Sequence, residues 1–118
     1  MKSKNREIDI TSIIGKDVVI SGDIRSDGGM RVDGEIKGSI DSNSSLSITK
    51  TCKIDGNVNA NMLIISGIIN GDIDCKGLLE IKNTAKIKGN IISKVLIVEK
   101  GATINGNCMV SQESKSKK

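Results

Sequence analysis

A seven-residue phrase of the form small-x-Ile/Val-x-Gly-x-Ile/Val returns six times and dictates what this chain can fold into. It stands at Val18 to Ile24 (VVISGDI), Gly34 to Ile40 (GEIKGSI), Cys52 to Val58 (CKIDGNV), Gly67 to Ile73 (GIINGDI), Ala85 to Ile91 (AKIKGNI) and Ala102 to Cys108 (ATINGNC). Its glycines, Gly22, Gly38, Gly56, Gly71, Gly89 and Gly106, are 16, 18, 15, 18 and 17 residues apart. A near-constant period of this size marks one structural unit stacked on itself. Within each phrase the apolar residues fall on every second position, which is the period of a strand and not of a helix.

A second apolar pair precedes the phrase, at Met30-x-Val32, Leu46-x-Ile48, Leu63-x-Ile65, Leu79-x-Ile81 and Leu96-x-Val98, spaced 16, 17, 16 and 17 residues apart. Each period thus holds three short stretches: Leu-x-Ile, small-x-Ile and Gly-x-Ile. The expected fold is all-β: one parallel β-helix of triangular cross-section, with about six coils of roughly 17 residues over 11–110 and short disordered tails at 1–10 and 111–118. Alternation turns Cys52, Ile54, Gly56 and Val58 inward and Lys53, Asp55, Asn57 and Asn59 outward. Stacking then sets Ile54 between Ile36 and Ile69, with Ile87 and Ile104 beyond. Six coils at about 4.8 Å per step make a rod roughly 25–30 Å long.

Composition supports a narrow, regular interior. The chain has no Phe, Tyr or Trp, so Ile, Val and Leu do all the filling, and no proline interrupts ladder hydrogen bonding. Of the three cysteines, Cys52 and Cys108 occupy apolar places in the repeat; Cys75 is the third, and no CxxC pair occurs. This usage points to a reducing, cytoplasmic compartment. No apolar run is long enough for a transmembrane helix or a signal-peptide core. Most of the net charge of +4 resides in the tails, because residues 11–110 hold 12 basic and 11 acidic side chains.

Several chemistries lack their residues. Histidine is absent, which removes the base that β-helical acyltransferases use and the ligands of a β-helical carbonic anhydrase zinc site. No catalytic residue, metal ligand, cofactor site or small-molecule substrate is assigned. Asp23, Asp33, Asp55, Asp72 and Asp74 form at most a weak carboxylate stripe, interrupted by lysines and arginines. Single-strand nucleic-acid binders need aromatic platforms, and none exists, so no nucleic-acid partner is expected. Gly34 and Gly38 follow the repeat and do not open a helix, which excludes a nucleotide loop.

The ends of a β-helix are unpaired sheet edges that natural proteins usually block. The first coil exposes Val18, Val19, Ile20 and Ile24, and the last exposes Ile104, Cys108 and Val110. These edges invite strand addition from another copy of the chain, and docking at both ends yields an open filament. Lys2, Lys4 and Arg6, followed by Ile8 and Ile10, form a basic-then-apolar tail suited to an anionic membrane. Ile13 and Ile14 could extend that tail or belong to the first coil. The alternative is a monomeric β-helical binding module at the membrane surface.

Three segments carry a family resemblance: TSIIGKDVVISGDI (Thr11 to Ile24), GGMRVDGEIKGSI (Gly28 to Ile40) and EKGATINGNCMV (Glu99 to Val110). In this order they resemble the bactofilins, bacterial polymer-forming cytoskeletal proteins. The resemblance implies a right-handed β-helix and nucleotide-independent, non-polar filaments joined head to head and tail to tail. It also implies an N-terminal tail that binds the inner face of the cell membrane, and roles in cell shape and in recruiting cell-wall enzymes or other envelope proteins. Where the family commonly carries a phenylalanine in its last coil, this chain has Ile104, a smaller apolar contact.

Overall fold

The computed structural model describes residues 10–110, which form sixteen strands and no helix. β1 (Ile10–Ile14), β2 (Val19–Ser21) and β3 (Ile24–Ser26) make the first coil. β4 (Gly29–Val32), β5 (Glu35–Lys37) and β6 (Ile40–Ser42) make the second, and β7 (Ser45–Ile48), β8 (Lys53–Asp55) and β9 (Val58–Ala60) the third. β10 (Met62–Ile65) and β11 (Ile68–Asn70) lead into β12 (Ile73–Ile81), whose first half completes coil four and whose second half opens coil five. β13 (Lys86–Lys88) follows; β14 (Ile91–Val98) bridges coils five and six, and β15 (Thr103–Asn105) and β16 (Cys108–Val110) finish the chain's last coil. The molecule is a parallel β-solenoid of six turns.

Every pairing is parallel and joins one coil to the next, giving three walls. The first wall runs β1-β4-β7-β10 and on through the second halves of β12 and β14. The second is β2-β5-β8-β11-β13-β15. The third is β3-β6-β9 followed by the first halves of β12 and β14 and by β16. The chain enters its first coil at Ile10, so the residue that closes the expected tail already belongs to β1, with Ile13 and Ile14.

Registers place like on like. On the second wall Ile36 pairs with Ile54, Ile54 with Ile69, Ile69 with Ile87 and Ile87 with Ile104. On the first, Met30, Leu46, Leu63, Leu79 and Leu96 stack in turn. On the third the column is Ile24, Ile40, Val58, Ile73, Ile91 and Cys108. The middle members of these columns are buried to 2% exposure or less. Full burial of one such aliphatic side chain contributes about 1.5–3 kcal/mol, which explains how a core without aromatic residues holds together. Cys75, which the repeat left unassigned, is also inward, paired with Ala60 and Ser93 and 2% exposed.

Each corner has its own device. Between the first and second walls, four coils carry a hydrogen-bonded turn, such as Cys52 N–H to the Thr49 carbonyl at 3.0 Å and Ala85 N–H to the Lys82 carbonyl at 3.0 Å. Coils two and four cut this corner through Asp33-Gly34 and Ser66-Gly67, where a side chain would strike backbone carbonyls of the preceding coil. That shortening accounts for the 16- and 15-residue intervals among the phrase glycines. Between the second and third walls sit those phrase glycines. A Cβ on Gly56 would collide with the carbonyl oxygen of Gly38, one coil earlier, and its φ of 155° lies in a region that side chains avoid.

The third corner uses small polar ends of the third-wall strands. Ser93 Oγ donates to the Val95 carbonyl at 2.7 Å, Cys75 Sγ to the Leu78 carbonyl at 3.2 Å, and Ser42 Oγ accepts from Ser44 N–H at 3.2 Å. Ser42 and Ser93 are buried at 3% and 1% exposure, so these bonds satisfy groups that water cannot reach. Gly56→Ala tests the stacked-glycine corner, with Gly22→Ala as its control because nothing lies within 4 Å of Gly22 on the first coil. In thermal melts followed by circular dichroism, Gly56→Ala is expected to lose more than about 1 kcal/mol and Gly22→Ala distinctly less.

Candidate polymer interface

The columns that fill the core stop at the first and last coils, and the side chains there lose one neighbour. Ile20 and Ile24 are half-buried, whereas Ile36 and Ile40 directly beneath them are fully buried. At the other end Ile104 is half-buried and Cys108 exposed, above Ile87 and Ile91 at 1% and 0%. Among the described residues, β1, β2 and β3 are paired on one side only, as are β15, β16 and the second half of β14. Their outer rows of N–H and C=O groups are therefore presented along the solenoid axis. An edge with both an apolar rung and a free backbone row is suited to receiving another coil.

All four N-terminal edge residues read from the sequence lie in the first coil, but they divide by direction. Ile20 and Ile24 continue the inward columns, and Val19, 58% exposed, lies on the outer side of the second wall, whereas Val18, 41% exposed, holds the repeat position that buried Cys52 and Ala85 fill further along. At the C-terminal end Ile104 and Cys108 continue inward columns, and Val110 is half-buried beside Ser93. The repeat reading omitted the first wall, whose end rungs are half-buried Ile14 on one side and, on the other, Leu96, still buried at 7% exposure, with half-buried Val98. The signal was present, since Leu96-x-Val98 is the last Leu-x-Ile pair and no further pair follows. Lys2, Lys4, Arg6 and Ile8 lie outside the described residues.

A polar column also runs between the two edges. Asp23 Oδ1 accepts from Ser39 N–H at 3.0 Å, Ser39 Oγ from Asn57 N–H at 3.4 Å, and Asn57 Oδ1 from Asp72 N–H at 3.0 Å. Asp72 Oδ1 then accepts from Asn90 N–H at 3.0 Å, and Asn90 Oδ1 from Asn107 N–H at 3.3 Å. Each link spans one coil and satisfies a backbone donor at the glycine corner. The column ends at Asn107 in the last coil.

The expected carboxylate stripe does not exist as one surface. Asp23 and Asp72 belong to this polar column, Asp55 accepts from Asn70 Nδ2 at 3.0 Å on the second wall, and Asp74 lies on the third. Asp33 stands at another corner. There the Thr49 hydroxyl, aided by Arg31 Nε at 3.2 Å, holds its carboxyl below the usual carboxylate range. The walls of a solenoid separate residues that are close in the repeat. Among the described residues no group of three His, Cys, Asp or Glu could hold a metal ion, and no helix is long and apolar enough to cross a membrane.

The cysteines are unbridged. Burial, with a smaller contribution from Asp33, pushes the Cys52 thiol up to about 12, and burial also raises Cys75. Cys108 is raised by its partial burial as well, which keeps this edge thiol protonated at neutral pH.

A model of the bactofilins, described as polymer-forming cytoskeletal proteins, matches residues 12–109. The chain belongs to the bactofilin family. Among solved structures it is similar to the bactofilin of Thermus thermophilus, determined by cryo-electron microscopy as double helical filaments. The TM-score is 0.81 at 27% sequence identity, and the match covers 85% of this chain and 99% of the Thermus chain. Comparison with curated protein sequences gave no match. For this bactofilin the half-exposed Ile104 is the sharpest test of the C-terminal edge. Ile104→Arg is expected to lower sedimentable polymer by about tenfold, because an unpaired charge cannot be buried in a joint, while the β-type circular dichroism of the fold persists. A pellet equal to that of the unaltered protein places the joint elsewhere.

Proposed function

We propose that this bactofilin is a structural scaffold, not an enzyme, that assembles without nucleotide into filaments by docking coil edges. The observation that carries the reading is that, among the described residues, the strands at both ends are paired on one side only, and half-buried Ile20, Ile24 and Ile104 end columns whose middle members are fully buried. Covering each end with the edge of another copy completes the backbone ladder and buries these rungs. Like edges meet, so the filament has no polarity, and growth needs no bound nucleotide. The filament lies at the cytoplasmic face of the cell membrane and serves cell shape or cell-wall organisation by positioning envelope proteins.

The membrane contact is assigned to Lys2, Lys4, Arg6 and Ile8. Each basic residue near an anionic leaflet contributes on the order of 1 kcal/mol, which is weak for one copy. A polymer multiplies the contact through avidity. Ile10 starts β1, so the anchor is shorter than the tail read from the sequence.

Negative-stain electron microscopy of the purified chain without nucleotide is expected to show filaments. A species eluting at the monomer mass of 12.5 kDa at micromolar concentration and above overturns the scaffold reading. Deleting residues 2–9, which leaves β1 intact, is expected to weaken flotation with anionic liposomes at least about tenfold while filaments persist. Unchanged flotation removes the anchor and leaves the polymer standing.

A further inference from the structure

The three walls do not end alike at the last coil. Each inward column closes there on a rung with no further described strand beyond it: Leu96 on the first wall, Ile104 on the second and Cys108 on the third. Ile104 is half-buried and Cys108 exposed, as side chains that have lost one neighbour should be. Leu96 is only 7% exposed. At the opposite end Ile14, Ile20 and Ile24 are all half-buried, so the first wall is not better shielded by its shape. Leu96 is covered from a direction in which residues 10–110 supply no strand.

The order of the walls says which segment reaches it. In every turn a third-wall strand is followed by the first-wall strand of the next coil: β3 by β4, β6 by β7, β9 by β10, and within β12 and β14 without a break. β16 is a third-wall strand, and the chain runs on past it as Ser111-Gln112-Glu113-Ser114-Lys115-Ser116-Lys117-Lys118. The corner between such strands takes at most two residues, as at Asp27-Gly28, and the first-wall strand of coil four takes 4. Residues 111–118 therefore suffice for a corner and a strand. The Ile81 carbonyl accepts from Glu99 N–H at 2.8 Å, so Glu99 turns its backbone groups toward coil five. By alternation Leu96 and Val98 direct theirs the other way, where a seventh coil would lie.

We infer that residues 111–118 cap the first wall as a partial seventh coil over Leu96, and that another copy of the chain must displace them to dock on the whole C-terminal edge. The segment offers backbone groups but no apolar side chain. Whichever of its residues turn inward, the aliphatic column of the first wall ends beneath them. A polar or charged side chain turned inward is one of the ways in which sheet edges resist further pairing. A cap held by a few edge hydrogen bonds, with no side chain of its own buried, opens readily. It competes with a docking copy, which brings apolar rungs as well, and so raises the concentration needed for joining without forbidding it.

The consequence for assembly rests on the polymer reading above, whereas the cap itself is read from the unassembled chain. In the supernatant of a high-speed spin, hydrogen exchange at the Leu96 amide is expected to be slow in the full chain. Deleting residues 111–118, or combining Glu113→Pro with Ser114→Pro to remove adjacent strand donors, is expected to quicken it by at least about tenfold. The same two variants are expected to lower the protein left in that supernatant by about threefold. Lys115→Gln, Lys117→Gln and Lys118→Gln together remove the charge but keep the strand, and are expected to change neither readout. Unaltered Leu96 exchange in the deletion overturns the inference. So does a supernatant that stays level or rises in the deletion, because the segment would then be idle or part of the joint. A triple variant that lowers the supernatant as the deletion does also overturns it, by making charge repulsion the cause. If no variant sediments at all, the polymer reading fails, and Leu96 exchange still decides the cap.

Discussion

One constraint governs the molecule: each inward residue must stack on the same residue one coil away, at the spacing of paired strands. Backbone hydrogen bonding fixes the axial step at about 4.8 Å, and the side chains must then fit that step. Columns such as Ile36-Ile54-Ile69-Ile87-Ile104 meet it with identical shapes. Stacked aliphatic side chains fill this interior without aromatic rings, which other cores use to fill irregular volumes.

The same constraint leaves work undone at both ends. A closed barrel pairs its last strand with its first, whereas a solenoid cannot, so two apolar rungs and two rows of backbone groups face outward. In the middle of the molecule those groups are satisfied by the adjacent coil, and among the described residues no strand does the same at the ends. The chain belongs to the polymer-forming bactofilins, and Ile20, Ile24, Ile104 and Cys108 are the inward-column residues left less covered at its two ends.

The corners show how local chemistry protects the register. From the second coil on, the phrase glycines pack against the carbonyl of the glycine one coil before, where no side chain fits. The residue following each of them is Asp, Ser or Asn, and in the first five coils its side chain receives a backbone N–H from the next coil. A one-residue slip would break both devices and turn the aliphatic column to solvent. The outward faces have no such restriction and carry both signs of charge, with Glu35 in register with Lys53 and Lys37 with Asp55 on the second wall.

The strand period, the coil count and the inward columns were all legible in the sequence, because they depend on alternation and on spacing along the chain. The polar column was equally legible in the Asp, Ser or Asn after each phrase glycine, although only its hydrogen bonds reveal what it does. Other features depended on the third dimension. Cys75 looked like a spare residue until the long strand β12 turned it inward beside Ser93. Asp23, Asp33, Asp55, Asp72 and Asp74 looked like a stripe until three walls and their corners divided them. Spacing along a repeat says which residues share a rung. Which wall a rung belongs to, and what faces it from another coil, is decided where the chain turns its corners, and turn length and backbone contacts set those in space.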